Sequence, residues 1–297
     1  MVNISLSVNP SENKSDNPFV TNNPTSWCPG CGNFSILDSI NQVLHEMALR
    51  PQDVLMVSGI GQAAKLPHYI NAHGLNTLHG RAVPAAMGAQ AANDSFKILL
   101  TSGDGDTYGE GGNHFMHNIR RNLDLVHIVH DNQVYGLTKG QGSPTTALGQ
   151  KTRLQFDGMR HEPLNPVALA ISLGCSFVAR SFSGDPKHLQ KMIKAAMDHK
   201  GYALIDVMQP CVTFNQVNTF KWYKERAFYI PETHDPKDKV KAFELAQQFG
   251  DDGIPMGILY LNEKPTFMEQ CGHLTKPLVT YDRKPSDIDW LLDKLVD

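Results

Sequence analysis

The sequence predicts an α/β protein, a parallel sheet with helices on both faces, on three observations. Short apolar runs alternate with stretches of helical period from residue 33 to residue 207. Two of the strand-like runs end in polar turns, Gly103-Asp104-Gly105-Asp106 and Asp131-Asn132-Gln133-Val134. A candidate helix separates those turns, and this strand–turn–helix–strand spacing carries both C-terminal strand ends to one crevice.

Residues 1–25 are rich in Asn, Ser and Pro and carry no period, the composition of a flexible N-terminal arm. After the segment WCPGCG at 27–32, Ile36, Leu37, Ile40, Val43, Leu44 and Met47 recur at helical spacing. Residues 54–57 read as a buried strand, and 80–92 as a helix packed closely by small side chains. Residues 97–102 form the strand that ends in the first turn. Phe115, Met116 and Ile119 mark the next helix, and 125–129 the strand that ends in the second turn. Asn165-Pro166 opens a helix, an N-cap with proline at the first helical position. A strand at 175–179 follows, then an amphipathic helix carrying Leu189, Met192, Ile193, Ala196 and Met197, then a strand at 203–207. Beyond about 210 the pattern is irregular, with one further helix near 239–249. The expected organisation is an arm over 1–25, an α/β domain over 26–210, and an irregular C-terminal extension over 211–297 packed on the same domain.

The 297 residues are 41% hydrophobic and 19% charged, ordinary for a globular protein with a large core. A net charge of −3 gives no electrostatic case for nucleic acid or an anionic membrane. No apolar run approaches membrane-spanning length, and no secretory pattern opens the chain, so the expected location is cytoplasmic. Five cysteines do not suggest a disulfide framework.

The two turns carry chemistry. Gly103 and Gly105 let the backbone approach an anion, and a following helix aims N–H groups at a phosphate. Asp104 and Asn132 are hard oxygen donors of the kind Mg²⁺ requires. Asp106 also suits a helix N-cap. GDG at 103–105 followed by Asn132 resembles the diphosphate–Mg²⁺ signature of thiamine diphosphate enzymes. That resemblance implies Mg²⁺ on Asp104, Asn132 and the Val134 carbonyl, with backbone N–H groups of Gly105 and Asp106 on the diphosphate. The glycine-rich stretch 136–145 suits a loop over the phosphates, with Gly136 in its bend and Thr138 as hydroxyl donor. Cys28 and Cys31 form a CxxC at a helix start, open to three readings: a redox dithiol, a zinc knuckle or an iron–sulfur ligand pair. A cluster draws in a distant cysteine, and Cys211 follows a strand end on the crevice side.

Taken in order, WCPGCGN at 27–33, SGIG at 58–61, LHGR at 78–81, GDGD at 103–106, YGLTKGQ at 135–141, FSGD at 182–185 and DVMQPCVTF at 206–214 resemble the beta subunit of 2-oxoacid:ferredoxin oxidoreductases, and most closely the 2-oxoglutarate type. The resemblance spans roughly residues 26–267.

The resemblance implies a parallel-sheet thiamine diphosphate-binding fold, with Gly61 among the residues around the cofactor. It implies oxidative decarboxylation of a 2-oxoacid to acyl-CoA and CO₂, with electrons passed to ferredoxin through a four-iron cluster (4Fe–4S). It implies an alpha subunit, in an αβ or (αβ)₂ complex, that supplies the glutamate for the aminopyrimidine. Cys28, Cys31 and Cys211 match cluster ligands. Gln62, in GIGQAAK at 59–65, stands where the family's third cysteine falls. Lys65 matches the family residue that reaches the far end of the 2-oxoacid and suits a second carboxylate. Leu137 would limit substrate length, and His79 and Arg81 would flank the reacting centre. Arg81 also suits a structural helix start, and Cys175 and Cys271 are further candidates for the missing ligand, Cys175 reading better as core. Gln62 keeps open a non-redox thiamine diphosphate decarboxylase or carboligase without a cluster, and the CxxC a zinc-stapled non-catalytic binding module.

Overall fold

A computed structural model describes residues 16–272, 276–282, 284 and 288–296. Its centre is an eight-stranded sheet. In chain order the elements are α1 (Asn33–Glu46), β1 (Val54–Ser58), β2 (His73–Asn76), α2 (Ala82–Ala92), β3 (Lys97–Gly103), α3 (Gly112–Arg121) and β4 (Leu125–Asp131). A small hairpin, β5 (Val134–Tyr135) and β6 (Gln141–Gly142), precedes α4 (Pro166–Ser172), β7 (Phe177–Phe182), α5 (Pro186–Asp198) and β8 (Tyr202–Met208). The chain continues through α6 (Phe220–Arg226), β9 (Ala227–Tyr229), α7 (Lys239–Ala246), β10 (Ile254–Leu261) and α8 (Phe267–Cys271).

The sheet order is β2-β1-β3-β4-β8-β7-β10-β9. The six strands from β2 to β7 run parallel, and β10 pairs antiparallel with β7. Both faces are covered, which is why β1, β4, β7 and β8 are buried at every position. Strand alternation sorts the side chains between two cores. Met56, Leu99, Ile128 and Ile205 pack under α1 and α5, whereas Val57, Leu100, Val129 and Leu204 pack under α2, α3 and α4. Deleting any of these buried branched side chains to alanine costs about 2–5 kcal/mol, because the packed neighbours only partly close the cavity.

The caps follow the sequence. Asn165 Oδ1 accepts from Ala168 N at 3.0 Å and starts α4, and Asp185 Oδ1 accepts from His188 N at 3.2 Å and starts α5. Among the described residues no helix is long and apolar enough to cross a membrane.

Besides β2 and the β5–β6 hairpin, which the sequence reading did not contain, two segments depart from it. Residues 16–25, expected within a flexible arm, are docked, while 1–15 lie outside the described residues. Phe19 is fully buried, Val20 bridges Ile70, and Thr21 Oγ1 donates to the Tyr69 carbonyl at 3.0 Å. One aromatic anchor among polar residues leaves no period to read. The region after 210 is likewise not wholly irregular, since β10 joins the main sheet beside β7. Pro255, Gly257 at φ +140° and a register shift between Ile258 and Tyr260 break its alternation.

Candidate active site

Going along the chain, β1 leads to β2 on one side, and the chain then returns to place β3 on the other side of β1. This reversal is a topological switch point, where ligands of open α/β sheets bind beyond the carboxyl ends of the strands. The loops that leave β1, β2, β3 and β4 at this end hold most of the residues singled out from the sequence.

Asp106 ties three of those loops together. Its Oδ1 accepts from Gly80 N at 2.8 Å and from Ile60 N at 3.2 Å. It therefore does not cap its own helix, as the sequence suggested. Residues Gly105–Glu110 form a wide π-type turn, and the carboxylate reaches across to the loops after β1 and β2. Two glycines make this geometry available. A Cβ on Gly59 would collide with the Asp106 carboxylate, and Gly80 holds φ +71° with its N–H on that carboxylate. Burial raises the Asp106 pKa, and the N–H groups of Gly80 and Ile60 pull it back down.

The turns after β3 and β4 are adjacent, with Gly103 in register with His130. Asp104 is buried, and its Oδ2 accepts from Ser143 Oγ at 2.5 Å and from Thr145 Oγ1 at 2.6 Å. Thr145 Oγ1 also lies 2.8 Å from Asp131 Oδ1. Asn132 Oδ1 accepts from Val134 N at 3.1 Å, and its amide donates to Gln209 Oε1 at 3.1 Å. Gln133 between them sits at φ 59°, with its carbonyl held by Thr146 Oγ1 at 2.6 Å. A non-glycine residue in that region marks a turn its surroundings impose.

This end of the sheet carries excess buried acid. Asp104, Asp131 and Asp206 are all buried, and the buried cation near them, Arg180, places Nε 3.9 Å from Asp206 Oδ2. Burial raises all three carboxyl pKa values: Asp206 to about 6, and Asp131 well above the usual range with further push from the charges of Asp206 and Asp104. Buried carboxylates call for a proton or a cation. Asp104 and Asn132, on the two turn tips, fit Mg²⁺ by this deficit and by donor type.

His79 Nε2 stands 3.5 Å from Asp106 Oδ1 and 3.5 Å from Glu110 Oε2. The Tyr135 hydroxyl donates to Glu110 at 3.1 Å, and its ring packs over Gly105 and edge-on to His79. Arg81 takes the helix-start alternative in part: it occupies the N-cap position of α2, and its Nη1 pairs with His114 Nε2 at 2.8 Å. Lys65 lies half-buried on the short 3-10 helix Ala63–His68 after the β1 loop, and Gly61, at φ +131°, is at that loop's tip. Leu137 is 43% exposed on the β5–β6 turn. Thr138 Oγ1 bonds back to the Tyr135 carbonyl at 3.4 Å, and Gly136 lies against Gln62 and Cys211. Ser143, Thr145, Asp131, Glu110 and Tyr135 were not picked out from the sequence. The run Ser143-Pro144-Thr145-Thr146 was the available signal, three hydroxyls within loop reach of Asp104.

Cys28, Cys31 and Cys211 gather beside this crevice. Burial pushes the Cys31 thiol up to about 11, with added push from its neighbours Cys211 and Cys28, and raises Cys211. Gln209 Nε2 donates to Cys31 Sγ at 3.4 Å. Among the described residues no three His, Cys, Asp or Glu side chains converge on a single-ion site, and no disulfide forms. Cys175 is a core residue: its Sγ donates to the carbonyls of Phe177 and Tyr202, both at 3.3 Å, and burial pushes it up to about 12.

The fold and the paired turns define a thiamine diphosphate-dependent enzyme, and residues 56–207 match the family model for the C-terminal TPP binding domain of thiamine pyrophosphate enzymes. Residues 211–276 match the family model for the C-terminal part of the pyruvate ferredoxin oxidoreductase beta chain. The chain is 46% identical over 256 residues to the beta subunit of the 2-oxoacid:ferredoxin oxidoreductase of Saccharolobus solfataricus, covering 82% of this chain and 84% of that one. It is 32% identical to the 2-oxoglutarate synthase subunit KorB of Methanocaldococcus jannaschii, covering 86% and 94%. A solved 2-oxoglutarate:ferredoxin oxidoreductase of Magnetococcus marinus, with 2-oxoglutarate, coenzyme A and succinyl-CoA bound, superposes with a TM-score of 0.85 at 33% identity over 94% of this chain and 96% of that one. The chain belongs to the 2-oxoacid:ferredoxin oxidoreductase family, as a beta subunit. An enzyme subunit is thus established, and the zinc-stapled binding module considered from the sequence is overturned.

Proposed function

We propose that this chain, with its alpha subunit, carries out the oxidative decarboxylation of 2-oxoglutarate. The 2-oxoacid and coenzyme A become acyl-CoA and CO₂, and an iron–sulfur cluster, which Cys28, Cys31 and Cys211 would hold, would supply one-electron transfer to ferredoxin in the cytoplasm. Thiamine diphosphate would be held through Mg²⁺ on Asp104, Asn132 and the Val134 carbonyl. The observation that carries this is the meeting of the turns at 103–106 and 131–134, joined by Thr145.

When bound, the coenzyme supplies the carbon nucleophile and the electron sink. The chain's own residues bind and orient. Backbone N–H groups of Gly105 and Asp106 line the diphosphate, with Gly61, Gly103, Gly136 and Thr138 around it. His79, with Nε2 between Asp106 and Glu110, and Arg81 would flank the reacting centre. Lys65 takes the distal carboxylate of the substrate, and Leu137 limits its length. Glu110 is engaged by His79 and Tyr135 on the diphosphate side, so the glutamate for the aminopyrimidine comes from the alpha subunit. The chain by itself is therefore inactive.

Gln62 favours a second reading, a non-redox thiamine enzyme without a cluster. The deciding experiment purifies the complex anaerobically and measures thiamine diphosphate, iron, sulfide and 2-oxoglutarate-dependent ferredoxin reduction. Stoichiometric cofactor, iron and reduction are expected. Cofactor with decarboxylation but no iron would establish the second reading. Full activity of the beta chain alone would overturn the role given to the alpha subunit.

A further inference from the structure

Gln62 Oε1 is buried and has no hydrogen-bond partner. Such an orphan is costly and calls for a water, an ion or a ligand. The Gln62 carbonyl is pinned by Trp27 Nε1 at 2.8 Å, immediately before Cys28. On the other side, a Cβ on Gly136 would sit 3.9 Å from Gln62 Cγ and 4.0 Å from Cys211 Sγ. The Gln62 side chain therefore lies beside Cys211 across Gly136, and its backbone is tied to the residue preceding Cys28.

The chain offers no further thiolate there. It has five cysteines. Cys175 bonds the carbonyl of Tyr202, the first residue of β8. Cys271 ends α8, whose first residue, Phe267, bonds the Asn122 carbonyl just before β4. Both belong to the amino-terminal edge of the sheet. Cys211 follows the carboxyl end of β8, and a strand of seven residues spans roughly 20 Å. This corrects the sequence-based candidacy of Cys175 and Cys271.

We propose that the Gln62 carboxamide oxygen ligates the fourth corner of a 4Fe–4S cluster held by Cys28, Cys31 and Cys211. The inference rests on the cluster reading above. A neutral oxygen gives iron less electron density than a thiolate and leaves the cluster one negative charge short of four-thiolate ligation. The cluster then has a higher potential than a four-thiolate one, and its oxygen-ligated iron is labile. One-electron oxidation by ferricyanide converts the 4Fe–4S²⁺ cluster to 3Fe–4S⁺ with release of Fe²⁺. The departing iron loses its bonds to Gln62 and to the cluster sulfides, and the electron goes to ferricyanide.

The test uses the anaerobic alpha–beta complex carrying wild-type chain, Gln62→Cys or Gln62→Ala. Readouts are iron and sulfide content, Mössbauer and EPR spectra, and the midpoint potential. For the wild type, one distinct iron site is expected, and about one iron in four should be released on oxidation, with a 3Fe–4S EPR signal. Gln62→Cys should abolish the release and lower the potential, and Gln62→Ala should alter the distinct iron's Mössbauer parameters. Four equivalent thiolate-type sites in the wild type would overturn Gln62 ligation while leaving the cluster standing, as would an alanine variant identical to wild type. Bound thiamine diphosphate with no iron or sulfide would overturn the cluster itself, and this inference with it.

Discussion

Asp104 and Asp131, on neighbouring turns, share one hydroxyl: Thr145 Oγ1 lies 2.6 Å from Asp104 Oδ2 and 2.8 Å from Asp131 Oδ1. A hydroxyl has a single proton, so it donates to one carboxyl and accepts from the other. Burial raises both carboxyl pKa values, and the charges of Asp206 and Asp104 push Asp131 further up, so the expected place for a proton is Asp131. In that order, Asp131 to Thr145 to Asp104, Asp104 would be the anion for the proposed Mg²⁺.

Asp131→Asn imitates the protonated acid and is expected to hold thiamine diphosphate within about threefold of wild type, whereas Asp104→Ala weakens it by at least about 100-fold, since a lost metal ligand exceeds the usual cost of a lost supporting contact. Isothermal titration with thiamine diphosphate and Mg²⁺ checks both. Equal weakening by the two variants would refute the proton order, and full-strength binding by Asp104→Ala would refute the site.

Gly59→Ala is expected to break the loop junction, because its Cβ meets the Asp106 carboxylate. Overpacking of this kind costs about 1–3 kcal/mol. Stability to chemical denaturation and cofactor affinity should both fall. Restored affinity in Gly59→Ala/Asp106→Ala would locate the clash, and an unaffected single variant would disprove it.

Lys65→Met removes the cation assigned to the distal carboxylate. The KM for 2-oxoglutarate should rise about 30-fold or more, the size of a charge-assisted bond, with little change for a monocarboxylic 2-oxoacid. Steady-state kinetics of the alpha–beta complex measures this, and parallel losses for both substrates would disprove the role.

His127 and His130 are fully buried, and burial pushes each down to about 3, His127 with added repulsion from His130. The unfolded chain takes up these protons below the ordinary histidine value near 6.5, and the fold does not. Their contribution is full above that value and is lost as pH falls, by about 1.4 kcal/mol per pH unit for each histidine. Asp206, raised to about 6 by burial, acts oppositely between the ordinary aspartate value and about 6. His130→Gln should therefore flatten the dependence of unfolding free energy on pH between 6.5 and 5 by about 1 kcal/mol per unit. Denaturant titrations across that range would show it, and an unchanged slope would contradict it.

Most strands and helices up to Val207 were legible because each obeys one period and is buried on a predictable face, whereas β2, exposed at all four positions, and the two-residue strands β5 and β6 carry no period to read. Ile36, Leu37 and Ile40 of α1 and Leu189 and Ile193 of α5 face one core. Phe19 and β10 were not legible. A single anchoring aromatic has no period, and Pro255 and Gly257 interrupt the only alternation β10 has. The two turns were visible in the motif itself, yet the hydroxyls that serve Asp104 were not, since their contacts cross 39 and 41 residues of chain.

By itself, the sequence determined the α/β class, the paired turns and the CxxC through local spacing and residue type, and its resemblance to a known family pointed to Cys211 and to the substitution at Gln62. Only the tertiary structure decided that Asp106 joins three loops rather than capping a helix, that Cys175 and Cys271 belong to the far edge of the sheet, and that Gln62 Oε1 is left without a partner beside Cys211. Those are relations between residues distant in the chain. The parallel strand order and the burial of both sheet faces set them, and no local pattern encodes them.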